Sequence, residues 1–214
     1  YGTDFTPRFF EEFKTLRGYD LKEQLPLLPV ANILAEPSKK NTAPCIAYVS
    51  FKLAQINPEA KFIVAPSDHL ILEEDRFQEI ALQALDFVDH IKALVTLGIK
   101  PTHPNTGYGY IQYISNGSED AKKVKTFTEK PSLELAETFL RSGDFVWNAG
   151  IFVLKASVWL QALGQFRPDV AAAAAKAWSA KVQDNHFIRP DKALFAQVPN
   201  VSVDYAVMEK CPGS

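Results

Sequence analysis

Apolar residues in the first half of the chain fall into short continuous runs separated by amphipathic stretches. Asn32-Ile33-Leu34-Ala35 is one such run, closed by Glu36-Pro37. Thr42 is expected to cap a helix with Pro44 in its first turn. Ile46, Val49 and Leu53 then recur at helical spacing, and Asn57-Pro58 ends the run. Phe62-Ile63-Val64-Ala65 is continuously apolar, as in a strand buried on both faces. Residues 75–93 place Phe77, Ile80, Ala84, Leu85, Val88 and Ile91 on one stripe and predict an amphipathic helix. Leu94 to Ile99 is a further short strand. This alternation of strands and helices predicts a Rossmann-like α/β domain, a mostly parallel sheet flanked by helices.

Beyond residue 100 the pattern changes. Tyr108 to Ile114 and Val124 to Phe127 alternate like strands around the polar loop Ser115 to Lys122. Phe127-Thr128-Glu129-Lys130-Pro131 sets an acid and a base just before a proline that stops the strand. Ser132 is expected to cap a helix with Leu135, Ala136 and Phe139 on one face. Ile151 to Leu154 reads as a buried strand, preceded by Trp147-Asn148-Ala149-Gly150, where an amide interrupts an aromatic run. The alanine-rich stretch 170–180 is expected to be helical, its alanines a packing or solvated-helix feature with no chemistry. The apolar string Val201 to Met208 reads as a strand enclosing Asp204.

Composition narrows the classes. The 214 residues suffice for one domain with a sizeable core. A formal charge of −2 and a pI of 6.1 lack the concentrated basic surface of a nucleic-acid binder. No apolar stretch approaches a membrane span or a leader. Cys45 and Cys211 stand apart from each other and from any histidine, which reads as reduced thiols of a cytoplasmic protein. The chain begins at Tyr1 and its one methionine is Met208, so it reads as a piece of a longer product.

Several polar residues sit where apolar structure makes them costly. Asp68 follows the strand at 62–65, at the sheet edge where open α/β domains bind ligands, and its carboxylate suits Mg²⁺ held beside phosphates. A turn cap is the plainer role for Asp68. Asp204 is the second candidate carboxylate, with a water-facing edge position as the alternative. His69 reads as a hydrogen-bonded structural residue, and His90, His103 and His186 as surface residues without metal-ligand spacing. Glu36-Pro37 and Asn41-Thr42-Ala43-Pro44 form a strand-to-helix turn whose backbone N–H groups could meet a base or an anion, or serve only as a cap. Thr106-Gly107-Tyr108-Gly109-Tyr110 places two glycines where a strand begins, marking a bulge, a close backbone approach or a plain turn. For Glu129 and Lys130 the alternative is a surface ion pair.

Taken together, Pro66-Ser67-Asp68-His69, Thr106 to Tyr110, Phe127 to Pro131, Trp147 to Phe152 and Val203 to Lys210 resemble the sugar-nucleotide pyrophosphorylases, most closely the mannose-1-phosphate guanylyltransferases. The resemblance covers about residues 29 to 210 and implies the nucleotide-diphospho-sugar transferase type of α/β fold. It implies GTP and mannose 1-phosphate as substrates, Mg²⁺ as cofactor, and GDP-mannose and pyrophosphate as products. It assigns Asp68 and Asp204 to the metal; Glu36, Asn41 and Thr42 to the nucleotide base; Gly107 and Gly109 to the sugar; and Glu129, Lys130 and Asn148 to the sugar phosphate. Lys39-Lys40 stands where the family often has an arginine, which keeps the charge but not the planar fork. Ala149 stands where a serine is frequent. A homo-oligomer is compatible with the resemblance.

Residues 1–28 form a segment of uncertain origin ahead of a nucleotidyltransferase domain at 29–210. Residues 9–14 look like an amphipathic helix, and the first twenty weakly resemble a segment of large rhamnosidase-type glycoside hydrolases. The resembled enzymes hold triphosphate on a glycine-rich loop after the first strand, with an arginine and a lysine. No Gly-Gly pair occurs in this chain. The domain is therefore expected to be incomplete at its N-terminus and a poor catalyst, since one such charge donor is typically worth about 10²–10³ in rate. The alternatives are a non-catalytic fragment that binds a sugar nucleotide and a pyrophosphorylase for another hexose 1-phosphate.

Overall fold

The computed structural model describes residues 29, 32, 34, 36–115, 121–183 and 188–211. Segment 1–28 with its expected helix, and most of the loop 115–122, lie outside the described residues, as do parts of the run 32–35. Within that run Leu34 is buried and forms a parallel bridge to Ile188.

Helix α1 (Thr42–Ile56) starts one residue earlier in its capping than the sequence predicts. Asn41, at φ 67°, accepts the Thr42 N–H on its side chain at 2.9 Å. Thr42 is thereby released from capping its own helix. The chain continues through β1 (Lys61–Val64), α2 (Glu74–His90), β2 (Val95–Ile99), β3 (Tyr110–Ile114), β4 (Lys123–Thr128) and α3 (Leu133–Ser142). It ends with β5 (Phe145–Lys155), α4 (Ala156–Phe166), α5 (Pro168–Ser179), the two-residue strands β6 (Val182–Gln183) and β7 (Ile188–Arg189), α6 (Lys192–Ala196) and α7 (Val203–Ala206). Ser132 caps α3 as expected, accepting the Leu135 N–H, and Gly143 closes the helix at φ 76°. Leu135 is exposed, however, so α3 packs through Ala136 and Phe139.

The α/β class holds, with a five-stranded sheet between helices. The mostly parallel pairing does not: every ladder of that sheet is antiparallel. The cause is β5, an eleven-residue strand that begins six residues before the apolar run at 151–154. It lies between β1 and β2 and pairs antiparallel with both. Those two strands do point the same way, as a crossover through α2 requires, but they are not neighbours. The second correction concerns 201–208, which is no strand. Ser202 accepts the Tyr205 N–H and opens the short helix α7, followed by a 3-10 turn at Met208–Lys210.

Alternation along β5 sorts the two faces of the sheet. Phe152 and Leu154 join the main core with Tyr48 of α1, Trp159 and Leu163 of α4, Trp178 of α5 and Val203 and Met208. Odd-numbered residues look the other way, Val153 and Ile151 toward α2 and Trp147 toward α3. Of the alanines of α5, Ala174 and Ala177 are wholly buried while Ala172 and Ala175 face solvent.

Two glycines give opposite expectations. Gly150 sits at φ 67° with Pro66 3.6 Å from where a Cβ would stand. Gly150→Ala should cost about 1–3 kcal/mol. Gly164 lies in α4 with open space around it, so Gly164→Ala should gain about 0.5–1 kcal/mol. Urea unfolding of both variants measures the difference.

Candidate active site

Register places the site. Trp147 pairs with Ile99 on one side and Tyr110 on the other, while Phe152 pairs with Thr96 and with Val64. Strands β3 and β1 therefore lie along the same edge of β5, one at each end. Residues 148–151 face the interval between them. There β5 bulges: Thr96 faces Phe152 and Gly98 faces Asn148, so Ala149, Gly150 and Ile151 stand against Leu97 alone. Bulges re-aim side chains beside functional sites, and a glycine at positive φ is what this one turns on.

Asn148 closes the bulge with its own side chain. Its Oδ1 accepts from the Gly150 N–H at 3.0 Å and from the Thr96 hydroxyl at 3.1 Å. Because a backbone N–H can only donate, these bonds fix which end of the amide is oxygen. Nδ2 is left to donate to Asp204 Oδ1 at 3.0 Å. The Asn148 N–H donates to the Gly109 carbonyl at 2.8 Å.

Glu129 enters beside them. Continuing the β3–β4 register by one residue sets Gly109 opposite Glu129. A Cβ on Gly109 would stand 2.5 Å from Glu129 Oε2 and 3.4 Å from Asn148 Cβ. Glu129 Oε2 thus takes up the space of the missing side chain, next to Asn148. Glu129 is 13% exposed, whereas Lys130, at φ 46° and 3.7 Å from Glu129 Oε1, is 64% exposed. Glu209 accepts the Glu129 backbone N–H with its carboxylate.

Three carboxylates thus come within each other's influence, with Lys130 beside Glu129 and Lys210 acting on Glu209. Burial, then the charge of Glu129, push the Asp204 carboxyl from 3.8 up to about 6. Bonds from its own backbone and from Asn148 pull the other way, and Glu209 adds a smaller upward push. Burial and Glu129 raise Glu209 too.

The remaining candidates surround this centre unevenly. Thr42 Oγ1 accepts the Val203 N–H at 2.8 Å, so the Asn41-Thr42 turn abuts the residue before Asp204. Glu36 is buried, and its charge helps raise the pKa of Tyr48 in α1. Asp68 is exposed in the turn after β1 and is not among the charges acting on Asp204. Gly107 is exposed, its N–H donating to Asn105 Oδ1 at 2.8 Å. The structure therefore brings together Gly109, Glu129, Asn148 and Asp204, with Thr42 one step behind. Asp68, Gly107 and Lys130 are exposed. Thr96 and Glu209 were missed by the sequence analysis. A hydroxyl inside the apolar run 94–99 and a carboxylate within the 203–210 motif were the signals.

A hard cation suits oxygen donors, and Mg²⁺ keeps several waters and substrate phosphate oxygens beside one or two carboxylates. Among the described residues no group of three or more His, Cys, Asp or Glu is arranged to hold a metal ion. The raised Asp204 carboxyl, facing Glu129 at close quarters, is a donor whose charge such a cation would offset.

The sheet and helices are of the α/β class, with the polar bulge, the amide and the carboxylates gathered at one edge of β5. The nucleotidyl transferase family profile matches residues 8–193, and the chain belongs to that family. It is 44% identical over 200 residues to the xanthan biosynthesis protein XanB of Xanthomonas campestris pv. campestris, covering 94% of this chain and 42% of that protein. It is 42% identical over 185 residues to the mannose-1-phosphate guanylyltransferase of Escherichia coli K12, covering 84% and 38%. The chain spans about two fifths of the length of these curated relatives. Among solved structures, the mannose-6-phosphate isomerase of Helicobacter pylori aligns with a TM-score of 0.74 at 32% identity, covering 83% of this chain and 68% of that one. Among the described residues no helix is long and apolar enough to cross a membrane.

Asp204 makes stability depend on pH with a definite sign. Its folded-state pKa of about 6 lies above the 3.8 of the free side chain. Its stabilising contribution is full below pH 4 and is lost as pH rises through 6. Asp204→Asn, which keeps an acceptor for Asn148, should raise stability at pH 7.5 by about 1–3 kcal/mol, with the gain vanishing near pH 4. Denaturant midpoints across that pH range test it.

Proposed function

We propose that the chain carries the sugar-phosphate side of a nucleotidyl transfer in which mannose 1-phosphate attacks the α-phosphorus of GTP, giving GDP-mannose and pyrophosphate. The observation behind this reading is the slot at Gly109, where Glu129, Asn148 and Asp204 meet at a gap in the sheet edge. The relatives' names, which concern mannose phosphates, support the same choice of sugar. Phosphoryl and nucleotidyl transfers need positioning and charge stabilisation more than covalent help from the protein.

In this reading Glu129 accepts hydrogen bonds from sugar hydroxyls, and the Gly109 backbone borders the ring. Asn148 has one Nδ2 hydrogen beyond the one given to Asp204, available to the sugar or its phosphate. Lys130, exposed at the rim, offsets phosphate charge as the ligand arrives. Glu36, Asn41 and Thr42 border the base. Asp204, with Asp68, would hold Mg²⁺, whose part is to neutralise phosphate charge. Cys45, which is buried, and Cys211 form no disulfide, which accords with a cytoplasmic location.

Calorimetry with GDP-mannose, with and without Mg²⁺, and a pyrophosphate-release assay with GTP and mannose 1-phosphate test this together. Metal-dependent binding should weaken at least about tenfold in Asn148→Ala and Glu129→Gln, the range for lost hydrogen bonds to charged groups. Binding without pyrophosphate release would favour a non-catalytic module. Equal turnover with glucose 1-phosphate would remove the mannose assignment, and no binding at millimolar ligand would sink the reading.

A further inference from the structure

Two chain segments far apart in sequence are laced together beside Asp204. The Val201 N–H donates to the Lys40 carbonyl at 3.2 Å, and the Ala43 N–H donates to the Val201 carbonyl at 3.2 Å. The third rung is different in kind: the Val203 N–H donates to the Thr42 side-chain oxygen at 2.8 Å. Val203 is the first residue of α7, and its N–H is one of the donors a helix start leaves unpaired. Ser202 already caps α7 by accepting from Tyr205. Thr42 therefore satisfies a second donor from outside the helix, which it can do because Asn41 has taken over the capping of α1.

The consequence falls on Asp204, the next residue. Its carboxylate reaches Asn148 only if the first turn of α7 is held in place. The four residues of α7 have their Ser202 cap and the buried Val203 and Ala206, and the Thr42 bond ties the residue before Asp204 directly to the start of α1. Valine at position 42 would keep the volume and remove the acceptor, leaving a buried N–H unpaired.

We infer that Thr42 is a positioning residue for Asp204, acting through the Val203 N–H. This rests on the nucleotidyl-transfer reading for its functional meaning and deepens it. The hydroxyl that accepts from Val203 still has its own proton to donate. A nucleotide bound at the Asn41-Thr42 turn would meet the same oxygen that sets the acid on the sugar side, so the two halves of the site share one side chain.

The test uses this chain with three variants: Thr42→Val, Thr42→Ser and Val203→Pro. The last removes the donor instead of the acceptor. Proline is favoured at the first position of a helix, and Ser202 at φ −75° and ψ 160° already has the backbone that precedes a proline. Amide exchange at Val203 should speed up about fivefold or more in Thr42→Val, the loss of one hydrogen bond, and return to the wild-type rate in Thr42→Ser. The Asn148 side-chain amide resonance, which reports its bond to Asp204, should shift alike in Thr42→Val and Val203→Pro. In kinetics both should raise the Mg²⁺ and mannose 1-phosphate requirement, and in Val203→Pro, which leaves the Thr42 hydroxyl in place, KM for GTP should stay constant. An Asn148 resonance unmoved in both variants would overturn the inference. So would a Mg²⁺ and mannose 1-phosphate requirement left unchanged in Val203→Pro, which removes the donor and keeps the Thr42 hydroxyl. If Thr42→Val fails to fold, Val203→Pro decides by itself. If wild type releases no pyrophosphate, the nucleotidyl-transfer reading fails separately, and the exchange and resonance measurements still decide the positioning role.

Discussion

The two hydrogen bonds accepted by Asn148 Oδ1 are the constraint on which the rest of the site depends. One comes from the Gly150 N–H and holds the β5 bulge closed; the other comes from Thr96 on the neighbouring strand. With the oxygen occupied on both sides, the amide nitrogen has one direction left, toward Asp204. A single side chain thus converts a local irregularity in a strand into the placement of an acid from another part of the chain. The bulge needs Gly150 for its backbone, and Glu129 needs Gly109 for its access. Two glycines and one amide do the shaping, and the carboxylates set the charge of the site.

The location follows from the sheet. β5 is long enough to hold β3 at one end and β1 at the other along the same edge, and the interval between them is where ordinary ladder pairing stops. Along the face that carries Phe152 and Leu154 into the main core, Asn148 is the point where apolar packing gives way to polar contacts. The fold tolerates the unfavourable charge on Asp204 because α7 is anchored beside it by Val203 and Met208, both buried in that core. Strain and charge stored at a binding site and offset by packing elsewhere are a common arrangement in proteins whose ligand later relieves them.

Much of this was legible in the sequence, and the failures are instructive. Helices α2, α3 and α5 follow from spacing and caps, since amphipathic stripes are local properties. The strand at 62–65 was legible, but its neighbour was not: antiparallel insertion of β5 between β1 and β2 is set by pairing some 90 residues away, as in Phe62 facing Leu154. The run 201–208 looked like a strand because apolar residues dominate it. Ser202 as a cap, and the demand that Val203, Ala206 and Met208 all face one core, made it helical. Of the site, the motif residues Gly109, Glu129, Asn148 and Asp204 were named from the sequence. That Glu129 needs Gly109 absent of a side chain, and that Thr96 and Glu209 join in, required coordinates, because a contact between strands leaves no trace in local composition.

The lacing of α7 to the start of α1 spans 161 residues, and the bond from Asn148 to Asp204 spans 56. Ordering the acid therefore means closing a very long loop, whose entropic cost grows only slowly with length but must be met before the contact is gained. On a ribosome the β3–β4–β5 part of the pocket, with Gly109, Glu129 and Asn148, would emerge first. For a further stretch of synthesis it would face its future acid as an empty slot. The polypeptide up to about residue 200 then holds Gly109, Glu129 and Asn148 without Asp204, and they come together only when the segment 201–210 docks.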